Sequence, residues 1–157
     1  MDASYINPFV QGAQRVFSSI CQESPSLGKI FVKKRPYTAS EVSVSIDIFG
    51  AFEAQVVYNM KPEAGCFIVS MMMGGMPVDT LQDDMPKSAV SELANIISGN
   101  VATIFAGKEI VVDIKPPQLR FNADESNFHF AGKVAAIVCV PLMFKNGHTF
   151  ELDIMIP

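Results

Sequence analysis

The chain has 157 residues and a formal net charge of −4, with 49% apolar and 18% charged residues. That length suits a single domain, residues 1–157, with enough chain to bury a real core, and the apolar share excludes a disordered polymer. The acidic balance and the absence of a long basic run exclude an ordinary nucleic-acid binder, since Lys33-Lys34-Arg35 is the one cationic cluster and reads as a strand end or solvated edge.

The N-terminus opens acidic and mixed rather than as a leader, and no run of 18 apolar residues marks a membrane span, so a cytoplasmic protein without membrane contact is expected. Residues Asp2 to Gln22 read as a first helix, because Ile6, Phe9, Val10, Ala13, Phe17, Ile20 and Cys21 recur at helical spacing. Ser4 or Asn7 is a suitable cap, with Pro8 close to the first turn. Gln22 to Gly28, with Ser24-Pro25-Ser26, reads as a turn or loop.

The period then changes. Val42, Val44, Ile46 and Ile48 alternate with Ser43, Ser45 and Asp47, which predicts a half-buried strand. Phe52, Ala54, Val56 and Tyr58 predict a second, followed by a turn from Asn59 to Gly65. Cys66 to Met73 is nearly all apolar and reads as a third, central strand of an antiparallel meander, ended by Gly74-Gly75. Met76 to Met85 is expected to be a loop.

From Pro86 to Gly107 the sequence predicts a long amphipathic helix. Ala89, Val90, Leu93, Ala94, Ile97, Val101, Ile104 and Phe105 form its apolar side, Pro86 suits the first turn and Gly107 the C-terminal cap. A fourth strand follows from Glu109 to Ile114, stopped by Pro116-Pro117, with Leu119 to Phe121 as an extension or short edge segment. Asn122 to Asn127 is a polar turn, and Phe128 to Phe144 contains a long strand bent or bulged near Pro141. Asn146-Gly147 predicts a type I′ hairpin turn into a last strand, His148 to Ile156, with Phe150, Leu152, Ile154 and Ile156 on one face. The expected architecture is α+β: a twisted antiparallel sheet of about six strands with two long helices packed on it.

Generic chemistry is sparse. His129 lies between Phe128 and Phe130 and His148 beside a hairpin turn, neither at metal-ligand spacing, so both read as structural. Cys21, Cys66 and Cys139 are far apart among apolar neighbours and read as small buried side chains. Met71-Met72-Met73 reads as adaptable packing. Asp79, Asp83 and Asp84 read as solvated acids favoured by the following helix dipole, so no metal site is expected.

The polar side of the long helix is less ordinary. Ser88, Glu92, Asn95 and Gly99 follow at steps of four, three and four, which stacks them on one stripe, with Ser91 and Asn100 flanking it. A solvated stripe usually fills with Lys, Glu, Gln and Arg, whereas this one has no cation from Ser88 to Thr103. Asn and Ser are poor interior helix residues, because they offer the backbone competing hydrogen bonds. A surface that another molecule approaches closely explains such a choice, and so does chance.

The opening Met1-Asp2-Ala3-Ser4-Tyr5-Ile6-Asn7-Pro8-Phe9 and the stripe together resemble the CheX members of the CheC/CheX/FliY family of chemotaxis phosphatases. That family's signature is a Ser or Asp, three residues, a Glu, two residues and an Asn, with a Pro some twenty residues on. Here it is Ser88, Glu92 and Asn95, with Pro116 or Pro117 downstream. CheC carries two such signatures. This chain has eight glutamates, of which only Glu92 has an Asn three residues later, so the single-site CheX form is the better match.

The resemblance implies hydrolysis of the aspartyl phosphate on a phosphorylated CheY-like receiver domain. It makes Asn95 the residue that holds the attacking water and Glu92 the partner of the receiver's active-site lysine. Ser88, Ser91 and Gly99, being small, would let the receiver come close. It implies no cofactor of the chain's own, Mg2+ in the receiver, and a homodimer formed through a sheet edge. An adaptor that binds a receiver or flagellar-switch component without hydrolysis is the competing expectation, and a ligand-binding domain using the Met-rich loop is a third.

Overall fold

A computed structural model describes residues 3–157. Helix α1 (Ala3–Ile20) is followed by strands β1 (Ser26–Leu27), β2 (Phe31–Lys34), β3 (Val42–Gly50) and β4 (Ala54–Met60). Helices α2 (Pro62–Met72) and α3 (Asp84–Ala106) come next, then β5 (Val112–Ile114), β6 (Gln118–Phe121), β7 (Ala136–Met143) and β8 (Thr149–Met155). The eight strands form one antiparallel sheet in the order β1-β7-β8-β4-β3-β5, with β2 also paired to β7 and β6 also paired to β3. Each outer lane is therefore two short strands laid end to end, interrupted at Gly28 to Ile30 on one side and at Lys115 to Pro117 on the other. The eight strands exceed the expected sheet of about six, because each outer lane is split in two.

Several elements differ from the sequence reading. Cys66 to Met72 is helical, so the meander has two strands, not three, and α2 is a third, shorter helix. An unbroken apolar run fits a buried strand or a buried helix equally well. The deciding signals are Pro62 at the start of the helix and Gly74-Gly75 at its end. Gly74 and Gly75 have φ of +70° and +93°, and the Gly75 N–H donates to Ser70 O at 2.8 Å while the Gly74 N–H donates to Met71 O at 3.3 Å. Those are the two bonds of a Schellman cap, which ends helices and not strands. The Met71 to Met73 run is thus a helix end.

The first helix already includes Ala3, so Ser4 and Asn7 lie inside it and Pro8 is an interior, buried residue; Asp2 falls outside the described residues. His129 is in a turn rather than a strand, and the long strand expected from Phe128 begins only at Ala136. Asn122 to Asn127 is partly a 3-10 turn with a capping box between Asp124 and Asn127. The hairpin before β8 is not type I′. That turn needs φ > 0 at both central residues, and here only Gly147 (φ +91°) is left-handed. The Gly147 N–H donates to Phe144 O and the Phe144 N–H to His148 O, the pattern of a type I turn closed by a left-handed glycine.

The sheet has two unlike faces. Val44, Ile46, Val56, Tyr58, Leu152 and Ile154 point to the helical side, where α1 and α3 pack with Phe9, Phe17, Ile97 and Phe105 fully enclosed. The two helices approach closely at Gly12: a Cβ added there would lie 2.8 Å from Val101 Cγ2 and 3.3 Å from the Val101 backbone nitrogen. One polar bond crosses this core, between Tyr58 Oη and Ser98 Oγ at 2.7 Å, and it fixes α3 against β4.

On the opposite face Tyr37, Phe128, Phe130 and Val134 cover Val57, Ile137 and Met155. Beneath them Asp153, fully buried, accepts from Tyr37 Oη at 2.5 Å, Asn59 Nδ2 at 2.8 Å and Lys33 Nζ at 3.0 Å. Lys33 also bonds Glu151. Burial, with the nearby Glu151 charge, pushes the Asp153 carboxyl up to about 6 despite the opposing Lys33 charge. Burial disfavours the Lys33 ammonium too, but the Asp153 and Glu151 charges outweigh it and hold the group above its ordinary value.

Two expectations follow from this packing. Gly12→Val should lower the free energy of unfolding by about 1–3 kcal/mol through overpacking against Val101, read by urea denaturation; an unchanged midpoint would place the helices further apart. For Asp153, the folded chain holds the proton more tightly than the unfolded chain, whose carboxyl titrates near 4. Its contribution is therefore present in full below about pH 4 and lost as pH rises through about 6. Unfolding measured at several values between those limits should show wild type losing stability relative to Asp153→Asn as pH rises, and parallel profiles would refute the assignment.

Candidate functional site

Helix α3 is held by its buried side, Val90, Leu93, Ala94, Ile97, Ser98, Val101 and Phe105, which follows the expected apolar stripe. By length and composition it is apolar enough to cross a membrane, but that apolar stripe packs against α1 and the sheet. Asp83 stands at its N-cap and Pro86 falls among the first turn's free N–H positions. Gly107 is the C-cap, in right-handed conformation, and the left-handed residue is Glu109 instead.

With that side committed, Ser88 and Glu92 are exposed and Ser91, Asn95 and Gly99 half-buried on the outer side of the helix. One turn rises 5.4 Å, so Glu92 and Asn95 stand a little under a turn apart on one wall. Across from that wall runs the connection from β5 to β6. Lys87, Ser88, Ser91, Glu92 and Asn95 on one side and Ile114, Lys115, Pro116 and Pro117 on the other line an open groove of about 650 Å³.

Four of the five singled-out residues thus share one groove. Gly99 does not line it; it lies further along the stripe, and a Cβ placed there meets nothing within 4 Å. Both prolines line the groove, so each remains a geometric candidate for the family position. The side chains of Glu92 and Asn95 have no hydrogen-bond or ion-pair partner among the described residues, although other polar residues of α3 do: Asn100 Nδ2 donates to Ile96 O and Thr103 Oγ1 to Gly99 O, both at 3.0 Å. A carboxylate and an amide at one groove wall, each with its hydrogen-bonding capacity unspent, can receive a partner's groups without first breaking internal bonds.

Sequence reasoning missed Lys87, Ile114 and Lys115. Lys87 precedes the stripe by a single residue, while the other two reach the groove only through the sheet: β5 pairs with β3, and the Lys115 N–H donates to Asp47 O at 2.9 Å. Elsewhere, Cys139, Glu151 and Asp153 offer ligand atoms all within 4.8 Å of one another. Cys139 is buried as expected but faces carboxylates, and the Lys33 ammonium bonds both acids there. Burial and the neighbouring Asp153 and Glu151 charges push the Cys139 thiol far above its ordinary range, so it stays protonated.

This α+β arrangement, a twisted antiparallel sheet with helices packed on one face, is the fold of solved CheX and CheC-like chemotaxis proteins. The chain superposes on the chemotaxis protein CheX of Vibrio vulnificus with a TM-score of 0.79 at 18% identity, covering 98% of this chain and 99% of that one. It also matches the crystal structure of the CheX-CheY-BeF3-Mg2+ complex from Borrelia burgdorferi with a TM-score of 0.77 at 27% identity, over 97% of each chain. In sequence it is 26% identical over 162 residues to the CheY-P phosphatase CheX of Thermotoga maritima, covering 99% of this chain and 97% of that protein. The model of the chemotaxis phosphatase CheX family matches residues 42–139, and the chain belongs to that family.

Proposed function

We propose that the chain is a protein phosphatase that hydrolyses the aspartyl phosphate of a CheY-like receiver domain in chemotaxis signalling, with Glu92 and Asn95 entering the receiver's active site. The observation that carries this reading is the pairing of two unspent side chains, one anionic and one neutral, on a single groove wall. The relatives named above, a CheY-P phosphatase and a CheX bound to CheY, support the reaction and the partner.

The chemistry follows from the residue types. Water attacks phosphorus in line with the scissile bond, the P–O bond to the receiver's aspartate breaks, and inorganic phosphate and a free carboxylate result. Such a reaction needs positioning and charge stabilisation more than a covalent intermediate. The Asn95 amide both donates and accepts, so it can orient the attacking water, and being neutral it approaches the phosphoryl oxygens without like-charge repulsion. Glu92 pairs with the receiver's lysine and fixes the register of docking, an ion pair that matters most when partly desolvated. Ser88, Ser91 and Gly99 keep the approach open. Mg2+ belongs to the receiver, and the chain brings no cofactor of its own. The reaction is cytoplasmic in this reading.

A homodimer formed through the outer lane of β1 and β2 completes the proposal. Leu27, Phe31 and Val32 are exposed there, Val32 to 54%, on strands whose outer edge is unpaired among the described residues. Apolar edges of this kind tend to be covered by another strand.

The first test follows decay of a phosphorylated CheY-type receiver. Wild type should accelerate it, Asn95→Ala should lose about tenfold or more of that acceleration, and Glu92→Ala should weaken binding and turnover together. Binding without acceleration would make the chain an adaptor instead. Sedimentation at micromolar concentration tests the assembly: twice the 17.1 kDa chain mass is expected, and a single 17.1 kDa species would refute the dimer.

A further inference from the structure

Two lysines flank the groove, and their setting differs from that of the chain's paired cations. Lys33 is bonded by two carboxylates and Arg35 by Glu125 at 2.8 Å. Lys87 and Lys115 have no carboxylate oxygen within 4.0 Å among the described residues, although Asp83 and Asp84 precede the first and Asp113 the second in sequence. Each ammonium lies instead over an aromatic ring: Lys87 Nζ is 5.8 Å from the centre of Phe121, and Lys115 Nζ is 6.0 Å from that of Phe49. A ring face restrains a cation but does not neutralise it. Both charges are therefore held near the groove and left uncompensated by the chain.

They also come from opposite walls. Lys87 is in the first turn of α3 and Lys115 in the β5–β6 connection, and Glu92 is the one carboxylate lining the groove. The groove thus offers positive, negative and positive charges, while the whole chain carries −4. A partner that complements it has a cation to meet Glu92 and anionic groups on either side. An acidic protein approaching an acidic chain is repelled at long range, and two local cations at the docking site offset that repulsion where it matters.

We infer that Lys87 and Lys115 are docking residues that select an acidic partner face and set its orientation on the groove, acting on encounter and register rather than on the bond-breaking step. The inference rests on the phosphatase reading above and deepens it: the partner's phosphorylated site must be rimmed by carboxylates on both sides of the cation that meets Glu92. Charge complementarity of this kind alters association and its salt dependence more than the chemical step. Because both ammonium groups are near the surface, their effect is screened once the ionic strength brings the Debye length below about 8 Å.

The experiment measures phosphoreceiver decay against receiver concentration at about 50 mM and about 300 mM salt, either side of that screening length. Lys87→Glu/Lys115→Glu should raise KM about tenfold or more while kcat stays within about twofold, and should flatten or invert the salt dependence seen with wild type. Lys87→Arg/Lys115→Arg should keep wild-type KM, and Lys87→Gln/Lys115→Gln should fall between. Lys133→Glu/Lys145→Glu changes the net charge equally at exposed positions outside the groove and should leave KM within about twofold. Equal effects from the two charge-reversed pairs, or a fall in kcat at constant KM on folded protein, would overturn the docking role. If wild type itself fails to accelerate decay, the phosphatase reading falls and this inference with it. Acceleration by wild type with no change in either lysine pair overturns this inference alone.

Discussion

The position of the groove's helical wall depends on how closely α1 and α3 approach. Gly12 lets the two backbones meet where any larger residue would strike Val101, and the Tyr58–Ser98 hydrogen bond then sets α3 against the sheet. Apolar packing alone would tolerate small slides and rotations of a helix, since greasy contacts are not directional. A buried hydroxyl pair is directional, and leaving either partner unmet costs about 1–3 kcal/mol, so it penalises displacement. The result is a helix whose outer stripe is aimed by its inner one. Ser98 is buried on the same helix that carries Asn95 half-exposed three residues earlier.

The two faces of the sheet divide their tasks. The helical face is almost wholly apolar and supports the groove. The other face is closed by the segment around Phe128 to Val134 and holds the Lys33, Tyr37, Asn59 and Asp153 cluster. A buried cluster of this kind adds little net stability, because desolvation consumes most of the attraction, but it admits few alternative arrangements. It ties the edge strand β2 to β8 and β4 through Lys33, Asp153 and Asn59, so that an outer lane with exposed apolar residues is fixed in register by its polar side.

What could be read from the sequence follows physical lines. The long helix and its stripe were legible because their signal is local and periodic: Val90, Leu93, Ala94, Ile97 and Val101 state one side, and Ser88, Glu92 and Asn95 the other. The strands from Val42 and from Ala54 were legible for the same reason at period two. Helix α2 was not, because Ala64 to Val69 has no polar side to break the ambiguity and a Gly-Gly pair in sequence does not state whether it closes a helix or a strand until its Schellman bonds are seen. Strands β1 and β2 were not, because edge residues such as Phe31 and Val32 remain exposed and do not alternate with buried ones. The Asn146-Gly147 pair located a hairpin correctly but not its turn type, since an adjacent Lys145 lengthens the loop. Of the groove, the helical wall was visible, and Pro116 and Pro117 only as alternatives for one position of a family signature. Ile114 and Lys115 join it by way of β3, a relation between distant parts of the chain that no local pattern encodes.

The groove's two walls also have separate histories open to them. Glu92 and Asn95 are on a helix locked into the core, where change is constrained by packing on the inner side. The facing wall is Ile114, the last residue of β5, and the Lys115 to Pro117 connection to β6, which lies largely outside the core. Substitutions at Ile114 and Lys115 can alter which surface fits the groove while the helix and its two polar side chains stay as they are. A gene copy could thus acquire a different docking face through a handful of codons, with the helix that carries Glu92 and Asn95 inherited intact.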